Sequence, residues 1–153
     1  MSWRISAIDA RWLDRLEELE HLCFGSGAWS RQSLVYSLED PLQTWLGCFD
    51  EDRLAGCAAV QCVAGVGYIA SVAVDPAYRR RGAGRNLLAA FDELAEREGL
   101  EELTLEVRRS NHAAIALYRG AGYAEVGAIR GYYDAPKEDA LLMTKFFAGS
   151  DKT

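Results

Sequence analysis

The sequence predicts one α/β domain in which a mixed sheet is flanked by helices, and three observations carry that expectation. Strand-type and helix-type patterns alternate along the 153 residues without a linker, a repeat or a low-complexity tract. Three strand patterns between Trp45 and Val74 are joined by short polar or glycine turns, as in an antiparallel meander. A helical pattern then separates the strand ending at Val74 from the one at Leu103–Val107, and a helical crossover makes such a pair parallel.

Taken in order, Trp3–Ile8 reads as the first strand. Asp9 caps a helix that carries Trp12, Leu16, Leu19 and Cys23 on one face, ended by Gly25-Ser26-Gly27. Ser30 caps a second, short helix with Leu34 and Leu38, and Asp40-Pro41 breaks it before the strand Trp45–Phe49. Polar residues 50–53 turn the chain into Leu54–Val63, and Gly65–Gly67 turns it into Tyr68–Val74. Leu87, Leu88, Phe91, Leu94 and Ala95 form the apolar stripe of a third helix that ends near Gly99. Leu103, Leu105 and Val107 alternate with Thr104, Glu106 and Arg108 in the next strand. Asn111 caps the fourth helix, with Ala114, Ile115, Leu117 and Tyr118. Tyr123–Arg130 and Ala140–Phe147 are the last two strands, and a polar tail, residues 149–153, frays. One domain is expected over residues 1–148.

Composition sets limits on function. The chain is half hydrophobic, enough for one core, and has a net charge of −6, which argues against nucleic acid as the main partner and suits a basic one. No run of about 18 apolar residues appears, and the first residues lack the apolar core of a signal peptide, so a cytoplasmic protein without a membrane partner is expected. Cys23, Cys48, Cys57 and Cys62 show neither C-x-x-C pairing nor histidine at zinc spacing. They read as small core residues, with no metal site and no disulfide framework.

The chemistry concentrates between Val72 and Arg85. A buried strand end is stopped by Asp75-Pro76 and followed by a short loop, Arg79 to Gly84, that leads into a helix. Gly82 and Gly84 remove side chains where that helix begins, so backbone N–H groups can close around an anion at the positive end of the helix dipole. Arg79, Arg80, Arg81 and Arg85 crowd the same point, where the dipole disfavours cations. In an acidic chain this favours a polyanion such as a pyrophosphate over a solvated basic turn. Neither a P-loop nor a Rossmann glycine pattern is present.

What is present is R-x-x-G-x-G, at Arg79, Gly82 and Gly84, with Ala83 inside it, after a V-A-V-D-P strand end. The segment resembles the acetyl-coenzyme A signature of the GCN5-related N-acetyltransferases. That resemblance implies a mostly antiparallel sheet of about seven strands, four flanking helices and a central parallel pair that splays. It also implies acetyl-coenzyme A as co-substrate, held by Val72, Ala73 and Val74 along the pantetheine arm and by residues 79–85 at the phosphates.

A second cluster is Glu106, Asn111 and Tyr118. Read from the residues alone, it favours a solvent-facing glutamate, an N-cap and a core tyrosine over three residues bordering one cleft. The run LEVRRSNHAAIALYRGAGY and the later RGYYDAPKEDALLM are similar to the bacterial ribosomal-protein alanine N-acetyltransferase subfamily, over nearly the whole chain. By that resemblance Glu106 is the general base, Tyr118 the general acid that also borders the cofactor, and Asn111 a ligand of the pantetheine arm. Trp29, in the loop between the first two helices, and Tyr132 with Tyr133, in the connection before the last strand, would wall an acceptor-peptide channel. The implied acceptor is a protein N-terminus, the alanine of the eighteenth small-subunit ribosomal protein, a basic partner.

Tyr68 departs from the pattern, since many relatives carry an acidic residue there. Transfer to lysine side chains or small amines, and a non-catalytic coenzyme A-binding role, remain open alternatives. A thiol-mediated double displacement is disfavoured. His21 and His112 read as surface or packing residues.

Overall fold

A computed structural model describes residues 3–147, so the tail expected at 149–153 lies outside the described residues. The elements follow the order read from the sequence: β1 (Arg4–Ala7), α1 (Leu13–Phe24), α2 (Arg31–Glu39), β2 (Gln43–Asp50), β3 (Arg53–Val63), β4 (Val66–Val74), α3 (Ala83–Glu98), β5 (Glu102–Arg108), α4 (His112–Gly120), β6 (Ala124–Tyr133) and β7 (Glu138–Phe146). The seven strands have the order β1-β2-β3-β4-β5-β7-β6. β4 and β5 are parallel, while β1–β2, β2–β3, β5–β7 and β6–β7 are antiparallel.

The caps act where the sequence put them. Ser30 accepts the N–H of Ser33 at the start of α2, and Asn111 accepts that of Ala114 at the start of α4. Asp9 instead caps a 3-10 turn, Ala10–Trp12, that leads into α1. Ala64 and Gly65, both at positive φ, make the tight turn between β3 and β4.

By contact the chain divides into two units, each built from two segments. The first comprises residues 1–61 and 69–91. Its core gathers Leu16 and Leu19 of α1, Leu34 of α2, Trp45 and Phe49 of β2, Leu54, Cys57 and Ala59 of β3, and Ala73 of β4. One carboxylate is buried there. Glu20 of α1, 1% exposed, accepts the hydroxyl of Ser71 at 2.7 Å and the backbone N–H of Trp29 at 3.2 Å, so its burial is matched by hydrogen bonds.

The second unit comprises residues 62–68 and 92–153. Leu103, Leu105 and Val107 of β5 are buried, as are Ile115 and Tyr118 of α4 and Ala140, Leu141 and Met143 of β7. The strict alternation of β5 leaves Thr104, Glu106 and Arg108 together on its other face. β6 departs from expectation. It runs on through Tyr132 and Tyr133, which therefore lie in the strand and not in a connection. Between the pairs Ile129↔Ala140 and Tyr133↔Glu138 its register shifts, a bulge centred on Gly131, whose φ is +62° and whose N–H donates to Asp139.

Candidate active site

The first part of the site grows from the end of β4. Asp75 accepts the N–H of Ala77 at 2.9 Å and pairs with Arg15 at 2.7 Å, which fixes a 3-10 turn at Pro76–Tyr78. The Arg15 guanidinium, aided by the Ala77 N–H, holds the Asp75 carboxyl below the usual carboxylate range. Arg80 and Gly82 then adopt φ of +65° and +88° on either side of Arg81, the alternation that turns successive N–H groups toward one concavity. Asn86 anchors the loop by donating from both its backbone and its side chain to the carbonyl of Gly82, at 3.0 and 2.7 Å. Trp3 donates to the carbonyl of Arg81 at 2.7 Å.

α3 starts at Ala83, so Gly84 lies in its first turn and not in the loop as expected. That turn carries no acidic residue, and among the described residues no ion pair uses Arg79, Arg80, Arg81 or Arg85. Cations without a carboxylate partner among the described residues, at the positive end of a helix and beside a left-handed glycine, fit a polyanionic ligand. Arg79 is turned back, its Nε donating to the carbonyl of Val74 at 3.3 Å and its guanidinium 3.6 Å from the sulfur of Cys23.

The second part is centred on Glu106 of β5. Two phenols donate to its Oε1: that of Tyr68 at 2.5 Å and that of Tyr132 at 3.0 Å. Parallel register explains the first contact, since Tyr68 pairs with Thr104, and Glu106 is two residues further along the same face. The bulge at Gly131 explains the second, because it re-aims Tyr132 of β6. Burial, then the Glu106 carboxylate, pushes the Tyr68 hydroxyl well above the ordinary phenol range, and the carboxylate chiefly raises that of Tyr132. Tyr133 stacks edge-on against Tyr132 with 5.0 Å between centroids and carries the Arg108 guanidinium 4.4 Å above its ring; burial pushes its hydroxyl up to about 12. Arg108 also donates to the carbonyls of Asp134 and Pro136 and to Glu138, tying the loop between β6 and β7 to β5.

Tyr118 of α4 is 8% exposed, with its ring edge-on to Tyr123 at 6.0 Å, and burial raises its hydroxyl, which stays protonated at neutral pH. Asn111 is exposed and its side-chain oxygen is engaged as the N-cap. Tyr132 thus reaches Glu106 and Tyr133 stacks on Tyr132, whereas Asn111 and Tyr118 stand with α4 and, among the described residues, share no hydrogen bond with them. Trp29, in the first unit, is half-buried against Trp45, with centroids 6.1 Å apart, and borders a concavity of about 400 Å³ with Ser33, Tyr36, Ser37, Asp40 and Gln43.

The cysteines are free. Cys48 and Cys57 are core residues as expected, but Cys23 and Cys62 are only partly buried. Burial raises all four thiols, Cys48 up to about 11, which leaves none as a ready nucleophile. His21 and His112 are exposed. Among the described residues no cluster of three or more His, Cys, Asp or Glu could hold a metal ion, and no helix is long and apolar enough to cross a membrane.

Sequence reasoning missed two residues. Tyr68 stood out only as a departure, because the register of a parallel pair 38 residues apart is invisible in the pattern. Glu20 lay on a helix as an ordinary acidic residue; its position on the same stripe as Leu16 was the available signal.

A strand-loop-helix cradle whose arginines make no ion pair among the described residues, on a seven-stranded sheet with a parallel β4–β5 pair, defines a class. The chain belongs to the acetyltransferase (GNAT) family, whose pattern matches residues 12–123. Within that family it is similar to the [ribosomal protein bS18]-alanine N-acetyltransferase of Salmonella typhimurium, 43% identical over 95 residues, covering 61% of this chain and 64% of the relative. An uncharacterized protein of Mycobacterium leprae is 36% identical over 138 residues, 87% of this chain and 38% of the relative. The chain therefore spans less than two thirds of the length of either. The crystal structure of the ribosomal-protein-S18-alanine N-acetyltransferase from Escherichia coli superimposes with a TM-score of 0.89 at 30% identity, covering 99% of both chains.

Proposed function

We propose that this chain transfers the acetyl group of acetyl-coenzyme A to the α-amine of a protein N-terminus, the N-terminal alanine of ribosomal protein bS18. The observation that carries this reading is the likeness to the Escherichia coli enzyme of that name, which extends over 99% of both chains. Residues 1–148 then act as one acetyltransferase domain in the cytoplasm, and the net charge of −6 steers a basic acceptor toward it.

Residues 79–85 hold the phosphates, with backbone N–H groups and arginines as donors, and Asn111 with Val72, Ala73 and Val74 lines the pantetheine arm. An N–H at the end of β4 polarises the acetyl carbonyl. The neutral amine attacks the carbonyl carbon, so that a C–N bond forms and the C–S bond breaks. Glu106 takes the proton that leaves nitrogen, and Tyr118 gives its proton to the departing sulfur, so amine and thioester become amide and thiol. An α-amine has an unperturbed pKa of about 8, so about a tenth is already neutral at pH 7, and its proton becomes acidic enough for a carboxylate to take as the C–N bond forms. No covalent enzyme intermediate is needed, in keeping with four protonated thiols. Trp29, Tyr132 and Tyr133 contact the first residues of the acceptor.

The test is coenzyme A release with acetyl-coenzyme A and two matched peptides, one with the ribosomal protein's free N-terminal alanine and one with that amine blocked. Release with the free amine only is the expected result. Release with neither refutes the acceptor, and directs the search to small amines or to a non-catalytic coenzyme A-binding role.

A further inference from the structure

We propose that Tyr68 is a positioning residue for Glu106: it pins the carboxylate through Oε1 and so presents Oε2 to the acceptor amine. This deepens the reading of Glu106 as base and rests on it.

The geometry is asymmetric. Both phenols meet the same oxygen, but Tyr68 comes from the body of β4, is half-buried and sits at 2.5 Å, while Tyr132 is 47% exposed and sits at 3.0 Å. Tyr68 and Thr104 end the paired run of β4 with β5, and Glu106 lies two positions further along a strand that is paired there with β7, so both side chains of the contact rise from paired backbone. A glutamate's terminal torsion is soft and nearly two-fold. Without a fixed donor on one oxygen the carboxylate samples orientations in which neither lone pair faces the amine. Tyr68 removes that freedom. Its hydroxyl is kept in the protonated, donating form by burial and by the carboxylate. It takes no proton and gives none up; it acts through Glu106.

The departure seen in the sequence acquires a meaning here. An acidic residue at this point of β4 would face Glu106 with a like charge. A phenol gives the carboxylate a hydrogen bond and no charge.

The test is a double-mutant cycle. Tyr68→Phe keeps the ring and its packing and removes only the hydroxyl. Turnover is expected to fall about tenfold, the usual worth of a hydrogen bond to a charged group, with KM for acetyl-coenzyme A unchanged. In a Glu106→Gln background the same change is expected to do nothing further, because the group it serves is gone. Additive losses in kcat would overturn the proposal, since a structural role would persist in both backgrounds. A second readout needs no acetyl transfer. Alkaline titration of tyrosine absorbance should show two phenols, Tyr68 and Tyr132, ionising at lower pH in Glu106→Gln than in the wild type, and only Tyr132 doing so in Glu106→Gln with Tyr68→Phe. Superimposable titration curves for wild type and Glu106→Gln would show that the contact does not form. If the wild type transfers acetyl to no amine, the base assignment and the positioning role fall together, while the titration still decides the contact.

Discussion

Replacing Gly82 with alanine separates the two costs that the cradle implies. Gly82 has φ of +88°, and a Cβ built there would meet nothing nearer than Asn86 Nδ2 at 3.6 Å and Trp3 Nε1 at 3.8 Å. Space is therefore not the penalty to the free protein. Backbone conformation is, at about 1–2 kcal/mol for an L-residue in the left-handed region. For a chain of 153 residues that corresponds to a fall in Tm of about 2–8 °C. The effect on ligand is larger in kind. Either the loop relaxes out of its left-handed turn and withdraws an N–H, or the new methyl stands where a phosphate oxygen approaches. Loss of one charge-assisted hydrogen bond is worth about 1.5–3 kcal/mol, so affinity for coenzyme A should weaken about tenfold or more. Gly82→Asn, a residue that tolerates positive φ, should recover much of the Tm and little of the affinity. Thermal unfolding and calorimetry at one fixed salt concentration read both quantities. A Gly82→Ala protein that loses Tm but binds coenzyme A like the wild type would refute the cradle.

Other outcomes follow from the same geometry. Glu106→Gln should lower kcat by about 10²-fold or more while calorimetric affinity for acetyl-coenzyme A is retained, because the role proposed for the carboxylate is to take the acceptor's proton and not to hold the cofactor. Tyr118→Phe keeps the ring against Tyr123 and should cost about 10²-fold in kcat with cofactor affinity and Tm near those of the wild type; unchanged turnover would remove Tyr118 as the acid. Asp75→Asn tests the brace under the cradle. Arg15 depresses the folded-state pKa of Asp75, so its contribution is present above the ordinary carboxylate value and lost as pH falls through the folded one. The variant should be about 1 kcal/mol less stable than the wild type at pH 7, with the difference closing as pH falls below about 4, in thermal unfolding at both pH values.

Periodicity and capping made most of the fold legible. Alternation marked β5, with Leu103, Leu105 and Val107 inward, and side-chain oxygens at Ser30 and Asn111 marked two helix starts to the residue. The crossover through α3 correctly implied a parallel β4–β5 pair. Local pattern failed where the determining contact was distant. The bulge at Gly131 hid the continuation of β6 through Tyr132 and Tyr133, because a glycine shortly before Asp134 and Pro136 looks like the end of a strand. Tyr68 and Glu106 meet only through a register that no single-strand pattern encodes. Glu20 is buried by its partners, Ser71 and Trp29, which lie 51 and 9 residues away. Of the candidate site, the cradle was the legible part, since its glycines and arginines are contiguous. The groups around Glu106 come from three strands and had to be assembled by folding.

The most direct test of the central claim is to map where acetyl goes on one acceptor that offers both kinds of amine. A peptide with the ribosomal protein's N-terminal sequence, free at its alanine and carrying a single internal lysine, is incubated with acetyl-coenzyme A and the protein, and the modified position is located by tandem mass spectrometry. Acetyl on the α-amine alone, dependent on Glu106, is the result expected of an N-terminal acetyltransferase. Acetyl on the lysine with the α-amine free would contradict it.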